Sequence, residues 1–170
     1  MFELKHHPVR IAHINVRTEK HGEEDVKALD VKITFEVTST RLDELAEGLR
    51  NSLYEPTNDP DLVPDDSHPT EPRFTQMGAV PWGKKLENVG FHLHLGNGCG
   101  KGDVQFPDAK FSEFFFRSKA EGIVTCKARL QLLPSSDQAG KIIDMLKREV
   151  PASLDVSQAT GEPDEADDDE

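Results

Sequence analysis

Val26-Lys27-Ala28-Leu29-Asp30-Val31-Lys32-Ile33-Thr34-Phe35-Glu36-Val37-Thr38 is the stretch on which the fold turns. Leu29, Val31, Ile33, Phe35 and Val37 alternate with Asp30, Lys32, Thr34 and Glu36. That period of two predicts a strand with one face on a core and the other in water. Upstream, residues 9–20 read as a second strand, and His21-Gly22 with the acids after it supply the turn of a hairpin. Downstream, Leu42, Leu45, Ala46, Leu49 and Leu53 fall at helical spacing, which predicts a helix over 41–53 with Thr40 as its N-cap and Asp43 three residues on.

The same hairpin-helix pattern recurs a hundred residues later. A shift of 100 lays Ile11 on Phe111, Ile14 on Phe114, Val16 on Phe116, Arg17 on Arg117 and Gly22 on Gly122. Three residues, Glu23 to Asp25, are extra in the first loop. Beyond them a shift of 97 lays Leu29 on Cys126, Val31 on Ala128, Ile33 on Leu130 and Leu45 on Ile142. Both first strands break their alternation at one place, from Ile11 to Ile14 and from Phe111 to Phe114, which predicts a β-bulge in each. Strands over 109–118 and 123–133 and a helix over 137–149, capped by Ser136, complete the second unit. The expected fold is α+β: antiparallel sheets carrying two ββα units, over 9–53 and 109–149, related by a pseudo-twofold internal repeat.

Between the units, residues 55–72 are rich in Pro and Asp and read as a long exposed loop, and 86–95 as a strand. A short strand over 152–156 closes a single domain of residues 1–156, and 157–170 reads as a disordered acidic tail. The acidity is segregated. Of 32 acids, eight lie from Asp155 on and six between Glu55 and Glu71, leaving 18 against 20 Lys and Arg in the remainder. A net charge of −12 therefore does not exclude a polyanion ligand. No apolar run is long enough to span a bilayer, so no membrane partner is expected. Two cysteines without a pairing framework fit a reduced, cytoplasmic setting.

No catalytic residue is legible, and neither a cofactor nor a metal site is expected. The glycine run from Gly96 to Gly102 fails as a phosphate loop, because Gly96 and Gly100 enclose three residues and no helix pattern follows Lys101. His92 and His94 share one strand face and could offer two imidazoles to a metal. The third ligand, from His13, His21, His68 or Cys99, would need long-range folding, so both are read as solvent-facing. In Phe111-Ser112-Glu113-Phe114-Phe115-Phe116-Arg117, Phe114 and Phe116 should face the core, leaving Phe115 outward beside Arg117, Lys127 and Arg129. An exposed aromatic among bases is how sequence-tolerant single-strand binders stack nucleobases and follow phosphates. Phe115, Arg117, Lys127, Arg129, His92 and His94 are thus the candidate nucleic-acid-binding residues. Trp82 and Tyr54, at loop edges, could add stacking or interface surface.

Arg17-Thr18-Glu19-Lys20-His21-Gly22, Ala28-Leu29-Asp30-Val31-Lys32, the stretch from Asp103-Val104 to Phe116, and Glu121-Gly122-Ile123-Val124-Thr125 resemble a group of tailed-bacteriophage proteins to which no activity is attached. The resemblance covers roughly residues 1–155 and implies a phage or prophage protein made in a bacterial cytoplasm. Paired antiparallel repeats capped by helices also resemble the single-stranded-DNA-binding folds of the Pur and whirly type, whose repeats have four strands. The expectation is a non-catalytic phage accessory protein binding single-stranded nucleic acid on an open sheet face, its tail gating access or recruiting partners. The alternative is a protein-interaction module, such as an inhibitor of a host enzyme or an assembly factor; a homo-oligomer is compatible with either.

Overall fold

The structure is a computed structural model, and it describes residues 2–56, 70–96, 99 and 102–161. The long alternating strands behave as their periodicity dictates. β1 (Leu4–His21) and β2 (Glu24–Thr38) form a hairpin paired from His21↔Glu24 to Arg10↔Thr34. Gly22, at φ +67, supplies the left-handed first position of its two-residue turn. β7 (Val104–Ser118) and β8 (Ile123–Leu132) form a second hairpin, and β2 pairs with β8 from Leu29↔Leu132 to Thr38↔Ile123. β6 (Leu86–Leu93) pairs on one side with β7 and on the other with β9 (Glu149–Asp155), which returns to β1.

These pairings close a ring in the order β1-β2-β8-β7-β6-β9, a six-stranded barrel with every pair antiparallel. Closure removes most of the unpaired edge that an open sheet would leave. Alternate residues fill the interior, with Ile11, Ile33, Phe91, Leu93, Phe111, Phe114, Phe116 and Leu130 at most 2 % exposed. The open sheet face expected from the sequence is not present; the face left for a ligand is the barrel's convex exterior. β5 (Val80–Trp82) is appended to β7 opposite Phe114–Phe116, and β10 (Thr160–Gly161) to β6. β3 (Tyr54–Glu55) and β4 (Glu71–Pro72) make a separate two-stranded pair.

Both first strands bulge where the apolar alternation breaks. The register of β1 on β2 shifts between Ile11 and His13, and that of β7 on β8 between Ser112 and Phe115. In the second bulge Glu113 takes a left-handed φ of +48.

The helices depart from their pattern. Residues 41–53 do not form one helix: a 3-10 segment, Ser39–Glu44, is followed by Gly48 at φ +79 and a single turn, α1 (Leu49–Leu53). Gly48 permits that break, and Leu42 and Leu53 reach the core from two short pieces. Thr38, not Thr40, occupies the N-cap, with no side-chain cap bond. α2 (Ser136–Asp144) starts at a capping box between Ser135 and Gln138, one residue before the expected cap, Ser136. It ends early because Lys147, at φ +66, turns the chain back, its N–H bonded to the Ile11 carbonyl, and β9 already begins at Glu149. Part of the segment read as tail is structured, since Thr160 and Gly161 pair with Glu87 and Leu86. Most of the acidic loop (57–69) and the acidic terminus (162–170) lie outside the described residues. No helix among the described residues is long and apolar enough to cross a membrane.

Candidate functional site

Cross-strand neighbours share a face of the sheet. The pairings Thr34↔Lys127↔Phe115 and Glu36↔Thr125↔Arg117 therefore define rows on the barrel exterior. Phe115 is 36 % exposed, whereas Phe114 and Phe116 on either side are buried. Lys127 lies directly across from it, and Pro81 of β5 flanks its other edge. Arg117 and Lys127 are exposed and have no carboxylate partner among the described residues. The next row, Lys32↔Arg129↔Ser112, is differently employed.

Arg129 is held between two carboxylates, Nη2 to Asp30 Oδ2 at 2.7 Å and Nη1 to Glu113 Oε1 at 2.7 Å. Asp30, 5 % exposed, also accepts from Arg17 Nε at 2.9 Å, and Arg17 pairs with Glu19. Burial works to raise the Asp30 carboxyl, but hydrogen bonds from Arg17 and Arg129 more than offset it, and the net shift is downward. Glu113 is lowered by its bond from Arg129 against a smaller burial effect, with Lys32 helping at 3.3 Å. Lys119 similarly occupies Glu36 at 2.7 Å. The acids on this face are thus neutralised pairwise, and Arg129 serves the barrel more than a ligand.

His92 and His94 are elsewhere. His92 pairs with Gln105 near the start of β7, roughly 30 Å along that strand from Phe115 at the usual strand rise. The structure therefore splits the six candidate residues into an exterior row, a structural arginine and a histidine cluster. Nor are the histidines simply solvent-facing, for their side chains are 27 % and 13 % exposed. Asp103, just before β7, places Oδ2 at 2.9 Å from His92 Nε2 and 3.6 Å from His94 Nδ1. Its Oδ1 accepts the Gly96 N–H at 3.0 Å, the first cause of its lowered pKa. His94 Nε2 meets Ser153 Oγ at 2.8 Å, and the His6 ring stacks on His94 with centroids 3.6 Å apart. Desolvation, then the neighbouring His92 and His6, lower the His94 pKa against the opposing pull of Asp103.

Asp103, Ser153 and His6 were not found in the sequence, because they join the histidines across three strands. Cys99, His13 and His21 do not belong to this cluster, and His68 lies outside the described residues. Cys126 is buried in the barrel, and desolvation pushes its thiol up to about 12, which leaves it unreactive. Tyr54 is fully buried rather than at a loop edge, and Trp82 packs on Phe116 with ring centroids 6.0 Å apart. No family model, curated relative or solved structure matches the chain.

Proposed function

We propose that the chain is a non-catalytic accessory protein that binds single-stranded nucleic acid on the barrel exterior, with Phe115 stacking a base and Lys127 and Arg117 meeting phosphates. The observation that carries this reading is the row Lys127↔Phe115, a third-exposed aromatic ring directly beside an uncommitted base. Lys32, Arg117, Lys119, Lys127 and Arg129 outnumber Asp30, Glu36 and Glu113 around it, and all three carboxylates are already paired. A phage setting in a bacterial cytoplasm and a gating role for the acidic terminus belong to the same proposal. Titration of a fluorescent single-stranded oligonucleotide at low and moderate salt tests it. Binding should weaken as salt rises; absence of binding at low salt removes the reading.

The proposal includes an internal duplication, supported by matched registers. Before the bulges Arg10↔Thr34 corresponds to Lys110↔Gln131, and after them Val16↔Leu29 corresponds to Phe116↔Cys126. The third strands follow suit: Leu4↔Leu154 and Val9↔Val150 correspond to Val104↔Leu93 and Ala109↔Val89. Exchanging β1, β2 and β6 with β7, β8 and β9 leaves the ring of pairings unchanged. Each half then contributes three barrel strands, not the four of the Pur and whirly repeats.

One asymmetry favours a second reading, a protein-interaction module. β5 covers the edge of β7 at Phe114–Phe116, whereas the corresponding edge of β1, beyond Arg10, has no strand partner among the described residues. Val16 on that stretch is 58 % exposed. A free edge with an exposed apolar residue suits strand addition by a partner or a second copy. Val16→Lys should then abolish association measured by sedimentation while leaving unfolding unchanged; association that survives it removes this reading.

A further inference from the structure

We propose that His92, His94 and Asp103 bind a divalent first-row transition-metal ion through His92 Nε2, His94 Nδ1 and Asp103 Oδ2. The site stands independently of the nucleic-acid reading, since it occupies the other end of the barrel. Two imidazoles and one carboxylate are a donor set that such ions take, leaving positions open for water or a ligand.

The geometry is close to what the ion needs. At zinc bond lengths of about 2.0–2.1 Å, tetrahedral ligand atoms sit about 3.3 Å from one another. Asp103 Oδ2 is 2.9 Å from His92 Nε2 and 3.6 Å from His94 Nδ1, and all three ligand atoms lie within 4.8 Å of one another. Small side-chain rotations would suffice, with no movement of the strands.

Two of the three ligands, His94 and Asp103, also have a partner on the far side, as metal ligands do. Ser153 Oγ, which accepts the His6 N–H at 3.0 Å, faces His94 Nε2 and can accept a hydrogen bond from its N–H, leaving Nδ1 free for the ion. The Gly96 N–H holds Asp103 Oδ1 and leaves Oδ2 turned to the histidines. The Gln105 amide nitrogen lies 3.3 Å from His92 Nε2 and 3.5 Å from Nδ1, so this side chain must turn aside to admit an ion. His6 adopts a left-handed φ of +45 within the register shift of β1 on β9, and the stacked His6 ring covers one face of His94. A groove lined by Gly90, Gln105, Pro107 and Asp155 opens beside His92 and gives water or a ligand access.

The test is isothermal titration of the untagged, chelator-treated full chain with Zn²⁺, and absorption spectroscopy with Co²⁺. One ion should bind per chain, with the visible bands of nitrogen and oxygen coordination. His92→Ala, His94→Ala and Asp103→Asn should each weaken binding by about tenfold or more. Asp103→Asn keeps the Gly96 contact, so it separates loss of a ligand from loss of the fold, which circular dichroism checks. His13→Ala and His21→Ala should leave binding unchanged. Failure of both ions to bind, or binding that persists in the three ligand variants, would overturn the site.

Discussion

Asp30 on β2 and Arg129 on β8 form a 2.7 Å ion pair across the seam where the two hairpins of the barrel meet. Arg17 from β1 completes the clamp on the same carboxylate, so one buried acid ties three strands together. Removing it leaves Arg17 with Glu19 and Arg129 with Glu113. The cost should therefore fall below that of stranding a fully buried charge. Asp30→Ala is expected to destabilise the barrel by about 2 kcal/mol. Glu36→Ala, removing a half-exposed partner of Lys119, should cost less than about 0.5 kcal/mol. Urea midpoints of the two variants measure the difference.

The same clamp sets an acid limit. The folded Asp30 carboxyl lies below its unfolded value, so its stabilisation is complete above that unfolded value, about pH 4, and is lost as pH falls through the folded one. Glu113 shifts in the same direction and contributes less, being more exposed. The Asp30 and Glu113 contributions should be level down to about pH 5 and fall below about pH 4, whereas His94, held below its ordinary value, removes some stability earlier, as pH falls below about 6.5. In Asp30→Asn the acid limb should be shallower; an unchanged limb would show that other carboxylates set it.

Tyr54 anchors the turn of the second hairpin. The hydroxyl lies 2.6 Å from the Ile123 carbonyl, to which it donates, and accepts the Lys119 N–H at 3.1 Å. The Lys119 N–H and the Ile123 carbonyl also bond to each other at 2.8 Å, so Tyr54→Phe removes a second bond from each and should cost about 1 kcal/mol. Hydrogen exchange at the Lys119 amide should accelerate more than exchange in β2.

Gly122 in that turn has φ +67, and a Cβ there would come 3.3 Å from Ser39 Oγ. Gly22 has the same φ with open space around it. Both alanine substitutions carry the left-handed penalty of about 1 kcal/mol, but Gly122→Ala should cost more. Equal unfolding midpoints would contradict the packing of the turn against Ser39.

What the sequence discloses of this fold follows from local periodicity. Leu29 to Val37 and the Ile11 to Ile14 step contain the hairpins and their bulges, because a strand half in a core must alternate and a bulge must break the alternation. Closure is not local. It depends on Leu93↔Ala152 and Val9↔Val150, pairs far apart in the chain whose residues carry no mark of their partners. The helical spacing of Leu42 to Leu53 misleads because Gly48 lets two short pieces bury the same leucines. Phe115 was legible from its parity between Phe114 and Phe116. Asp30 reads as an ordinary outward residue, and its burial arises from Arg17 and Arg129 arriving on other strands. Asp103 is separated from the histidines by the glycine-rich sequence of residues 96–102, which no spacing rule connects.

The most direct test of the proposed function is an amide chemical-shift titration of the full chain with a short single-stranded oligonucleotide. Shifts confined to Phe115, Arg117, Thr125 and Lys127, and abolished by Phe115→Ala without loss of stability, are the expected result. No shifts, or shifts centred away from β7 and β8, would contradict binding on this face of the barrel.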